Sequence, residues 1–413
     1  PFVFGRGGEE MLYLAEHGIA SEVVPGVTSA ISAPCYAGIP ITQRGYTASL
    51  AVVTGHEAEK EGSDIDWQAL SKIGTVVFLM GVKNLPVITK SLMDCGRSPQ
   101  TPVAMIQNGT YPNQKTVCGT LADISQIAEA AGIKPPAVTV VGEVVALREK
   151  LQWFEKRPLF GKTIVVTRSR HQASVLCAQL REFGAQVIEC PTIKIVQHGP
   201  GEEFREFMAE SDRYEHLVFT SVNGVEGFIE ALQKQGRDLR FLGGKKVICI
   251  GPATAEAFSK RGITPDFVPE SYVAEALLPY FEKLPPAGVA LLRAEKAREV
   301  LPEALAKLGH KVKVFPVYHT EYVDAENNDT INALAAGQVD LVTFTSSSTA
   351  EGFARVIAGS QIAPDAVPAA SIGPVTTQTC RDLGFDLKLE ATEYTIPGLV
   401  AAICRYFLHE ISL

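Results

Sequence analysis

Hydroxyl-bearing turns follow two predicted strands in the C-terminal half of the sequence, and each turn leads into a predicted helix. The turns are Thr220–Gly224 and Thr345–Thr349, after strands predicted at Leu217–Thr220 and Leu341–Thr345. Serine, threonine and asparagine cap helices by accepting hydrogen bonds from the first unpaired N–H groups. The same N–H groups, at the positive end of the helix dipole, can hold an anion. Each turn alone is therefore either a plain helix cap or part of an anion site.

A second pair of strand ends repeats this arrangement, at Ile250–Thr254 and Ile372–Thr376. Ligands of open α/β sheets bind beyond the carboxyl ends of the strands, so four such junctions favour a site for a polyanionic ligand. Basic side chains after the first strand of each half could pair with its carboxylates or phosphates, or could form a solvated face. They are Arg168, Arg170, Arg293, Lys296 and Arg298.

Tyr318 follows the apolar run Phe315–Val317 and is the candidate catalytic residue. A phenol has an ordinary pKa of about 10 and could donate a proton or a hydrogen bond in a cleft. The alternative is a packed aromatic ring with a satisfied hydroxyl group. No His, Asp or Glu stands in the four turns, so a hydrolytic dyad or triad is not supported.

An internal repeat organises the elements that carry these residues. Val166–Arg168 recurs as Leu291–Arg293, and Phe219–Ser221 recurs as Phe344–Ser346 at the same spacing. The Gly-Pro junctions at Ile250–Thr254 and Ile372–Thr376 also correspond to each other, after one short gap in the alignment of the two copies. The repeat predicts two similar α/β lobes of about 120 residues, with a cleft between them as the default ligand site.

Composition restricts the class of protein. The chain has 413 residues, 38 Lys and Arg against 46 Asp and Glu, a net charge of −8 and 46% hydrophobic residues. These values exclude disorder, collagen-like repeats and a disulfide scaffold. The hydrophobic content is sufficient for several buried cores. The acidic balance argues against a nucleic-acid binder with a broad basic face.

Cysteine and histidine spacing predicts no metal site. The 8 cysteines include no C-x-x-C pair, and the 8 histidines form no H-x-x-x-H pair. Cysteines within apolar runs are typical of buried thiols in a reducing compartment. No apolar run approaches the roughly 18 residues of a membrane span, and no signal peptide is recognisable. We therefore expect a soluble, cytoplasmic protein without a membrane partner.

Domain boundaries are predicted where the alternation of strands and helices along the sequence is interrupted. Short β-branched runs alternate with helical stretches, which is typical of the α/β class. The charged segment Glu149–Leu159, with Trp153 and Pro158, breaks this rhythm and is interpreted as a linker. We therefore predict one domain over residues 1–148 and another over 160–413. Because the chain opens on Pro1 without a methionine, we expect the true N-terminus to lie upstream.

Ordered motifs run through residues 1–148. They are Pro1–Glu10, Val24–Ala30, Tyr36–Pro40, Val53–His56, Met80–Leu85, Ile106–Thr110, Pro135–Ala137 and Val141–Val145. On these motifs the region resembles the uroporphyrinogen-III C-methyltransferases of the tetrapyrrole methylase superfamily. That family transfers methyl groups from S-adenosylmethionine to two rings of uroporphyrinogen III, giving precorrin-2, and usually forms homodimers.

The resemblance implies the cofactor-binding residues of this region. Proximity and orientation would carry much of the rate, because the macrocycle carbon attacks the sulfonium methyl group directly. The family's Gly-rich N-terminal loop, its Gly-Gly-Asp and its proposed acid and base residues have no counterpart here, so the resemblance implies a truncated methylase domain. The implied cofactor contacts are Val3, Thr28, Ser29, Met80 and Gly109, with Ala137 and Thr139 near the adenine.

A second set of motifs runs through residues 160–413. It consists of Val166–Arg168, Phe219–Ser221, Ile250–Thr254, Val317–Tyr318, Phe344–Ser346 and Ser371–Pro374. On these motifs the region resembles the uroporphyrinogen-III synthases, which need no cofactor and close hydroxymethylbilane into uroporphyrinogen III with inversion of ring D. The resemblance implies two flavodoxin-like α/β lobes joined by two strands. Lobe one would comprise about 160–195 plus 322–413, and lobe two about 198–316.

The second resemblance also implies site residues. Tyr318 would assist departure of the substrate hydroxyl group, and the eight substrate carboxylates would suit turns rich in N–H and hydroxyl groups. Arg168 is also predicted to contact the substrate, because it is positively charged and follows a strand end. The implied substrate contacts are Ser221, Thr254, Ser346 and Thr395.

The two resemblances together predict a bifunctional enzyme of tetrapyrrole biosynthesis, leading to sirohaem and corrinoids, because the product of the synthase is the substrate of the methylase. An alternative remains open: a two-lobed, non-catalytic polyanion-binding module whose methylase remnant serves dimerisation. A binder would be stabilised by a polycarboxylate ligand but would turn nothing over.

Overall fold

The computed structural model describes residues 2–58, 64–168, 170–270, 274–297, 299–323 and 328–410. The side chains of residues 170–172, 274, 328 and 410 lie outside this description, so of the basic residues considered above Arg298 and the Arg170 side chain are not described. Within the described ranges, no helix combines the length and the apolar character needed to cross a membrane.

The chain divides into two compact units. The first extends to Thr163 and includes Leu180–Gln186, and the second comprises Ile164–Gln179 and Val187–Glu410. Both units alternate strands with helices, as the sequence rhythm predicted, and the α/β class is confirmed.

The first unit is built on one mixed sheet. Strands β1 and β2 are parallel, whereas β5 is antiparallel to both β2 and β3, and β4 is antiparallel to β3. The sheet order is β1-β2-β5-β3-β4. The strands are β1 (Leu50–Thr54), β2 (Thr75–Leu79), β3 (Pro102–Gln107), β4 (Lys115–Thr120) and β5 (Ala137–Val141). The helices are α1 (Gly7–Glu16), α2 (Ser29–Tyr36), α3 (Trp67–Leu70), α4 (Leu85–Asp94), α5 (Ile124–Ala130) and α6 (Arg148–Leu151).

Apolar side chains on both faces explain why the central strands are buried. Every residue of β2 is buried, and its side chains alternate between two core clusters, with Val76 and Phe78 in one and Val77 and Leu79 in the other. Such continuous apolar strands are typical of sheets covered on both faces. Helices α4 and α5 supply one cover and α2 supplies the other.

The segment interpreted as a linker packs within the first unit. Phe154 and Leu159 are 4% and 0% exposed, and the Trp153 indole N–H donates to the Cys35 carbonyl oxygen over 3.1 Å. Arg148 forms an ion pair with Glu155, and both side chains are largely buried. Glu155, one of the charged residues of 149–159, is thus paired with Arg148 just before the segment.

The second unit contains two five-stranded sheets, with orders β10-β9-β11-β12-β8 and β15-β14-β13-β6-β7. Its strands are β6 (Thr163–Val166), β7 (Gln186–Glu189), β8 (Ile193–Gln197), β9 (His216–Phe219), β10 (Lys246–Cys249), β11 (Gly288–Ala294), β12 (Lys311–Tyr322), β13 (Leu341–Phe344), β14 (Pro368–Ser371) and β15 (Asp386–Glu390).

Helices connect these strands and cover the two sheets. They are α7 (Arg170–Glu182), α8 (Glu202–Ala209), α9 (Val222–Lys234), α10 (Pro252–Ser259), α11 (Leu278–Phe281), α12 (Val300–Lys307), α13 (Asn328–Ala335), α14 (Ser347–Ala358), α15 (Pro374–Asp382) and α16 (Ile396–Glu410). Among the described residues of both units, short 3₁₀ turns lie at Gly55–Glu57, Glu143–Leu147, Ser211–Arg213, Leu239–Leu242, Ala274–Leu277 and Pro364–Ala366.

The sheets of the second unit interleave the two copies of the sequence repeat. Strands β9 and β10 belong to the first copy, yet they share a sheet with β11 and β12 of the second, because β9 pairs with β11. Conversely, β6 of the first copy pairs with β13 of the second, at Ile164 opposite Leu341. Each sheet therefore requires both copies.

The repeated Gly-Phe pair in α9 and α14 has a packing role. A Cβ atom on Gly227 would lie 2.9 Å from the Val317 carbonyl oxygen, and one on Gly352 would lie 2.7 Å from the Thr192 carbonyl oxygen. Only glycine lets each helix approach its strand so closely. The adjacent phenylalanine of each pair is fully buried in the core.

Buried cysteines of the second unit behave as apolar core residues. Burial raises the pKa of Cys190 to about 11 and the pKa values of Cys249 and Cys380 to about 12. Their thiols therefore stay protonated at neutral pH and are poor nucleophiles and metal ligands.

Candidate active site

Ser221 ends the loop after β9 and begins α9. Its extended backbone, with φ of −161°, places the side chain over the first turn, where Oγ accepts a hydrogen bond from the Gly224 N–H over 3.0 Å. The same Oγ lies 3.0 Å from Oη of Tyr318. Ser221 is therefore both a helix cap and the partner of a tyrosine hydroxyl group.

Tyr318 lies on β12, where the parallel pairing with β11 shifts register between Arg293 and Ala294. The side chain is 7% exposed, and Ser221 and Asn223 form hydrogen bonds with its hydroxyl group. Burial raises the pKa of the Tyr318 phenol above its ordinary value, although the two hydrogen bonds oppose the shift. The Tyr318 phenol is therefore neutral at physiological pH and is chemically able to donate a hydrogen bond or a proton.

Thr254 and Arg293 lie at the same sheet edge. Phe219, two residues before Ser221, pairs with Cys249 of β10 and with Leu292 of β11, so all these strands end together. Arg293 is 4% exposed and forms an ion pair with Glu299. Thr254 is buried in the first turn of α10, whose N-cap is Gly251.

The helix N-termini at this edge differ in their capping. Ser221 caps α9, whereas Gly251 has no side chain that could cap α10. The other sheet repeats the contrast, because Ser346 caps α14 by accepting from the Thr349 N–H and Gly373 precedes α15 without a cap. An uncapped helix N-terminus offers N–H groups to an anion.

Arg168 and Thr395 belong to the edge of this other sheet. Val166, two residues before Arg168, pairs with Thr343 of β13, so Arg168 follows the strand beside Ser346. Burial lowers the pKa of the Arg168 guanidinium from its ordinary value. The Thr395 Oγ1 accepts a hydrogen bond from the Gly398 N–H over 3.1 Å at the start of α16.

The predicted catalytic and substrate-binding residues thus fall into two groups, one at each sheet edge of the second unit. Ser221, Thr254 and Tyr318 form the first group, and Arg168, Ser346 and Thr395 form the second. Direct contact joins Ser221 to Tyr318. Asn223 was not singled out from the sequence as a site residue, although its place in the hydroxyl-rich turn could have indicated its hydrogen bond to Tyr318.

The first unit contains a mostly apolar cavity of about 580 Å³ beyond the ends of β2 and β3. Five of the predicted cofactor-binding residues line it, namely Val3, Ser29, Met80, Gly109 and Ala137. Sequence reasoning did not select several further lining residues: Phe4, Ala33, Leu79, Val82, Lys83, Ile106, Asn108, Tyr111, Pro135, Pro136 and Val138. Five of them directly adjoin a predicted residue in the sequence, which was the available signal: Phe4, Leu79, Asn108, Pro136 and Val138.

Backbone conformation shapes the cavity wall. Met80, Asn108 and Thr110 have φ values of 55°, 50° and 77°, in the left-handed region that costs free energy for non-glycine residues. Between the last two, Gly109 packs on α2, where an added Cβ would lie 2.5 Å from the Ala33 Cβ. The wall is therefore strained and closely packed.

Thr28 and Thr139 are placed differently from the other five predicted residues. Thr139 is 1% exposed in the middle of β5, paired with Phe78 and Met105, and its side chain is enclosed by the sheet. Thr28 caps α2, with its Oγ1 accepting from the Ala30 N–H over 3.3 Å. Neither is among the cavity-lining residues.

Comparison with known proteins identifies both regions. Residues 174–401 match the sequence model of uroporphyrinogen-III synthase HemD. A protein named porphyrin biosynthesis protein HemD, from Ruminiclostridium josui, is 36% identical over 404 residues, which is 97% of this chain and 79% of that protein. The chain belongs to the uroporphyrinogen-III synthase family. Residues 1–125 match the tetrapyrrole (corrin/porphyrin) methylases, so the chain combines a methylase region with a synthase region.

Two further relatives are methyltransferases by name. A uroporphyrinogen-III C-methyltransferase of Bacillus subtilis is 40% identical over 264 residues, covering 63% of this chain and 54% of that protein. An S-adenosyl-L-methionine-dependent uroporphyrinogen III methyltransferase of Methanosarcina barkeri is 52% identical over 153 residues, covering 37% of this chain and 60% of that protein. The chain thus spans less than two thirds of the length of each of these two methyltransferases.

Proposed function

We propose that the synthase region cyclises hydroxymethylbilane to uroporphyrinogen III with inversion of ring D. The observation that carries this proposal is the 3.0 Å contact between the Ser221 and Tyr318 hydroxyl groups at a strand end. The contact orients a buried, neutral phenol toward the edge where helix N-termini lie. A polycarboxylate substrate suits that edge, because N–H groups and the dipoles of α9 and α10 attract anions.

Tyr318 would act in the step that generates the electrophile. Its phenol donates a proton to the leaving hydroxyl group as the C–O bond breaks, and water departs. The pyrrole N–H releases a proton as the azafulvene forms, which balances the proton that Tyr318 gave. Ser221 and Asn223 hold the phenol in place, so the enzyme mainly positions a reactive intermediate.

We also propose that residues 1–148 bind S-adenosylmethionine in the 580 Å³ cavity and serve the methylation of uroporphyrinogen III to precorrin-2. The cavity has the size of a small-molecule site. Its apolar lining and the strand-end backbone groups at Met80 and Gly109 suit an adenosyl group. The name of the Methanosarcina relative supports this cofactor.

The isomer of the cyclised product tests the synthase proposal. The full chain is incubated with fresh hydroxymethylbilane, the products are oxidised, and type I and type III uroporphyrin are separated by chromatography. Hydroxymethylbilane cyclises unaided to type I, so we expect type III to predominate only with active protein. Type I alone, from folded chain, would discard the synthase function in favour of a polyanion-binding module.

The pH dependence tests the protonation state of Tyr318. Burial raises its phenol pKa above the ordinary value of about 10, so the phenol stays protonated between about pH 7 and pH 9. We expect the ratio of kcat/KM for the native chain and the Tyr318→Phe variant to stay constant over that range. A ratio that declines with rising pH would mean that the phenol ionises within the range, contrary to its burial.

A further inference from the structure

Three potential metal ligands converge beside Tyr318, although they lie far apart in the sequence. The His198 Nε2 atom is 2.9 Å from the His319 Nδ1 atom and 3.5 Å from a Glu295 carboxylate oxygen. The ligand atoms of all three residues lie within 4.8 Å of one another. None of these residues serves the cyclisation described above.

The backbone holds the three ligands in one framework. The His198 N–H donates to the Val317 carbonyl oxygen over 3.0 Å, and the Glu295 N–H donates to the Tyr318 carbonyl oxygen over 2.9 Å. His319 itself lies on β12, paired with Val196 of β8. Ligands fixed by strand pairing lose little conformational entropy when a metal ion binds.

The distances agree with metal coordination. Zinc binds histidine nitrogen at about 2.0–2.1 Å, so two such ligands lie about 2.9 Å apart at a right angle and about 3.4 Å apart at the tetrahedral angle. The two short pairs, at 2.9 and 3.5 Å, match these separations. The Glu295 side chain is 54% exposed and can turn to complete the third bond. We propose that His198, Glu295 and His319 bind a divalent first-row metal ion, with Zn²⁺ as the reference ion.

Glu321 supports the required tautomer of His319. Its carboxylate lies 3.2 Å from the His319 Nε2 atom. An N–H at that position, donated to Glu321, leaves the lone pair of Nδ1 directed toward His198 and the proposed ion. A carboxylate behind a metal-bound histidine commonly orients the ring in this way.

The chemistry of the three side chains favours a transition metal over Mg²⁺ or Ca²⁺. Two imidazoles and one carboxylate form a mixed nitrogen and oxygen set, which suits Zn²⁺, Ni²⁺ or Cu²⁺. Three protein ligands leave a further coordination position for water. His319 is 35% exposed and His198 23% exposed, so the ion has access from solvent. Its binding would join β8, β11 and β12 beside Tyr318.

Zinc titration of the full chain tests the proposal. Calorimetry with Zn²⁺ alone should reveal one site that is lost when His198 and His319 are both replaced by alanine. The Glu295→Gln variant changes an exposed side chain to a poor ligand and should also weaken zinc binding at that site. Because the side chain is exposed, unfolding would not explain this loss of affinity. Glu321→Gln should weaken zinc binding by about 10- to 100-fold, because only the orientation of His319 is affected.

Matched controls separate this site from other zinc ligands of the chain. The His409→Ala variant removes an exposed histidine elsewhere and should bind zinc as the native chain does. Exposed Cys35 and Cys118 could also bind metal, but a thiolate on Co²⁺ gives a strong charge-transfer absorption. We expect Co²⁺ at the proposed site to show ligand-field bands that the Glu295→Gln variant lacks. Equal zinc stoichiometry and affinity in the native chain, the double-alanine variant and the Glu295→Gln variant would overturn the proposal.

Discussion

Replacing Tyr318 with phenylalanine is expected to lower the rate of type III uroporphyrinogen formation by about 100-fold, the lower end of the contribution of a general acid. The substitution removes the hydroxyl group that lies 3.0 Å from Ser221 Oγ and retains the ring that packs in the core. Because binding through the helix N-termini is unaffected, the loss should appear in kcat rather than in KM. The measurement is initial-rate kinetics with separation of the two isomers.

The matched control is Tyr214→Phe. Tyr214 is also buried, and its hydroxyl group lies 3.5 Å from a Glu210 carboxylate oxygen. It precedes β9, whereas Ser221 follows the same strand, so the control hydroxyl group stands at the opposite end of the sheet. The control variant should retain kcat. Comparable losses in both variants would mean that Tyr318 acts through stability alone.

Replacing Gly109 with alanine is expected to weaken S-adenosylmethionine binding by about 5- to 150-fold. The added methyl group would lie 2.5 Å from the Ala33 Cβ and 3.0 Å from its Cα, so α2 must move away from β3. Overpacking of this kind costs about 1–3 kcal/mol, and the displaced segment carries Ser29 and Ala33 of the cavity wall. The measurement is calorimetric titration of the full chain with S-adenosylmethionine.

Gly359→Ala serves as the control for this substitution. Gly359 has no atom within 4 Å of an added Cβ and lies in the second unit, so cofactor affinity should remain that of the native chain. Retained native affinity in Gly109→Ala would show that the cofactor does not use this cavity wall.

Much of the fold could be predicted from local patterns. The strands predicted at Leu217–Thr220 and Leu341–Thr345 are β9 at His216–Phe219 and β13 at Leu341–Phe344, each displaced by at most one residue at an end. Apolar runs followed by hydroxyl-rich turns fix such strand ends, because the turn residues cap the next helix. The contact between Ser221 and Tyr318 depends on the pairing of β9, β11 and β12, which local patterns do not contain.

Features that depend on long-range pairing were not predictable. The sequence contains no closely spaced histidine pair, yet antiparallel pairing of β8 with β12 brings His198 to His319. Likewise, the sequence does not reveal that Glu155 accepts hydrogen bonds from Gln114 and Thr116 of a distant hairpin. Spacing rules detect ligands and partners only when one helix or loop carries them.

Because the two copies of the repeat interleave, β6 is synthesised on the ribosome well before its partner strand β13. The Thr167 side chain donates to the Thr343 carbonyl oxygen, and these residues are 176 positions apart in the chain. At about 5–20 residues per second, β6 leaves the ribosome on the order of 10–35 s before the strand that completes its ladder. During that interval the edge of β6 that faces β13 has no permanent neighbour. Nascent chains of this protein therefore carry a strand edge that is open to wrong partners until β13 has been synthesised.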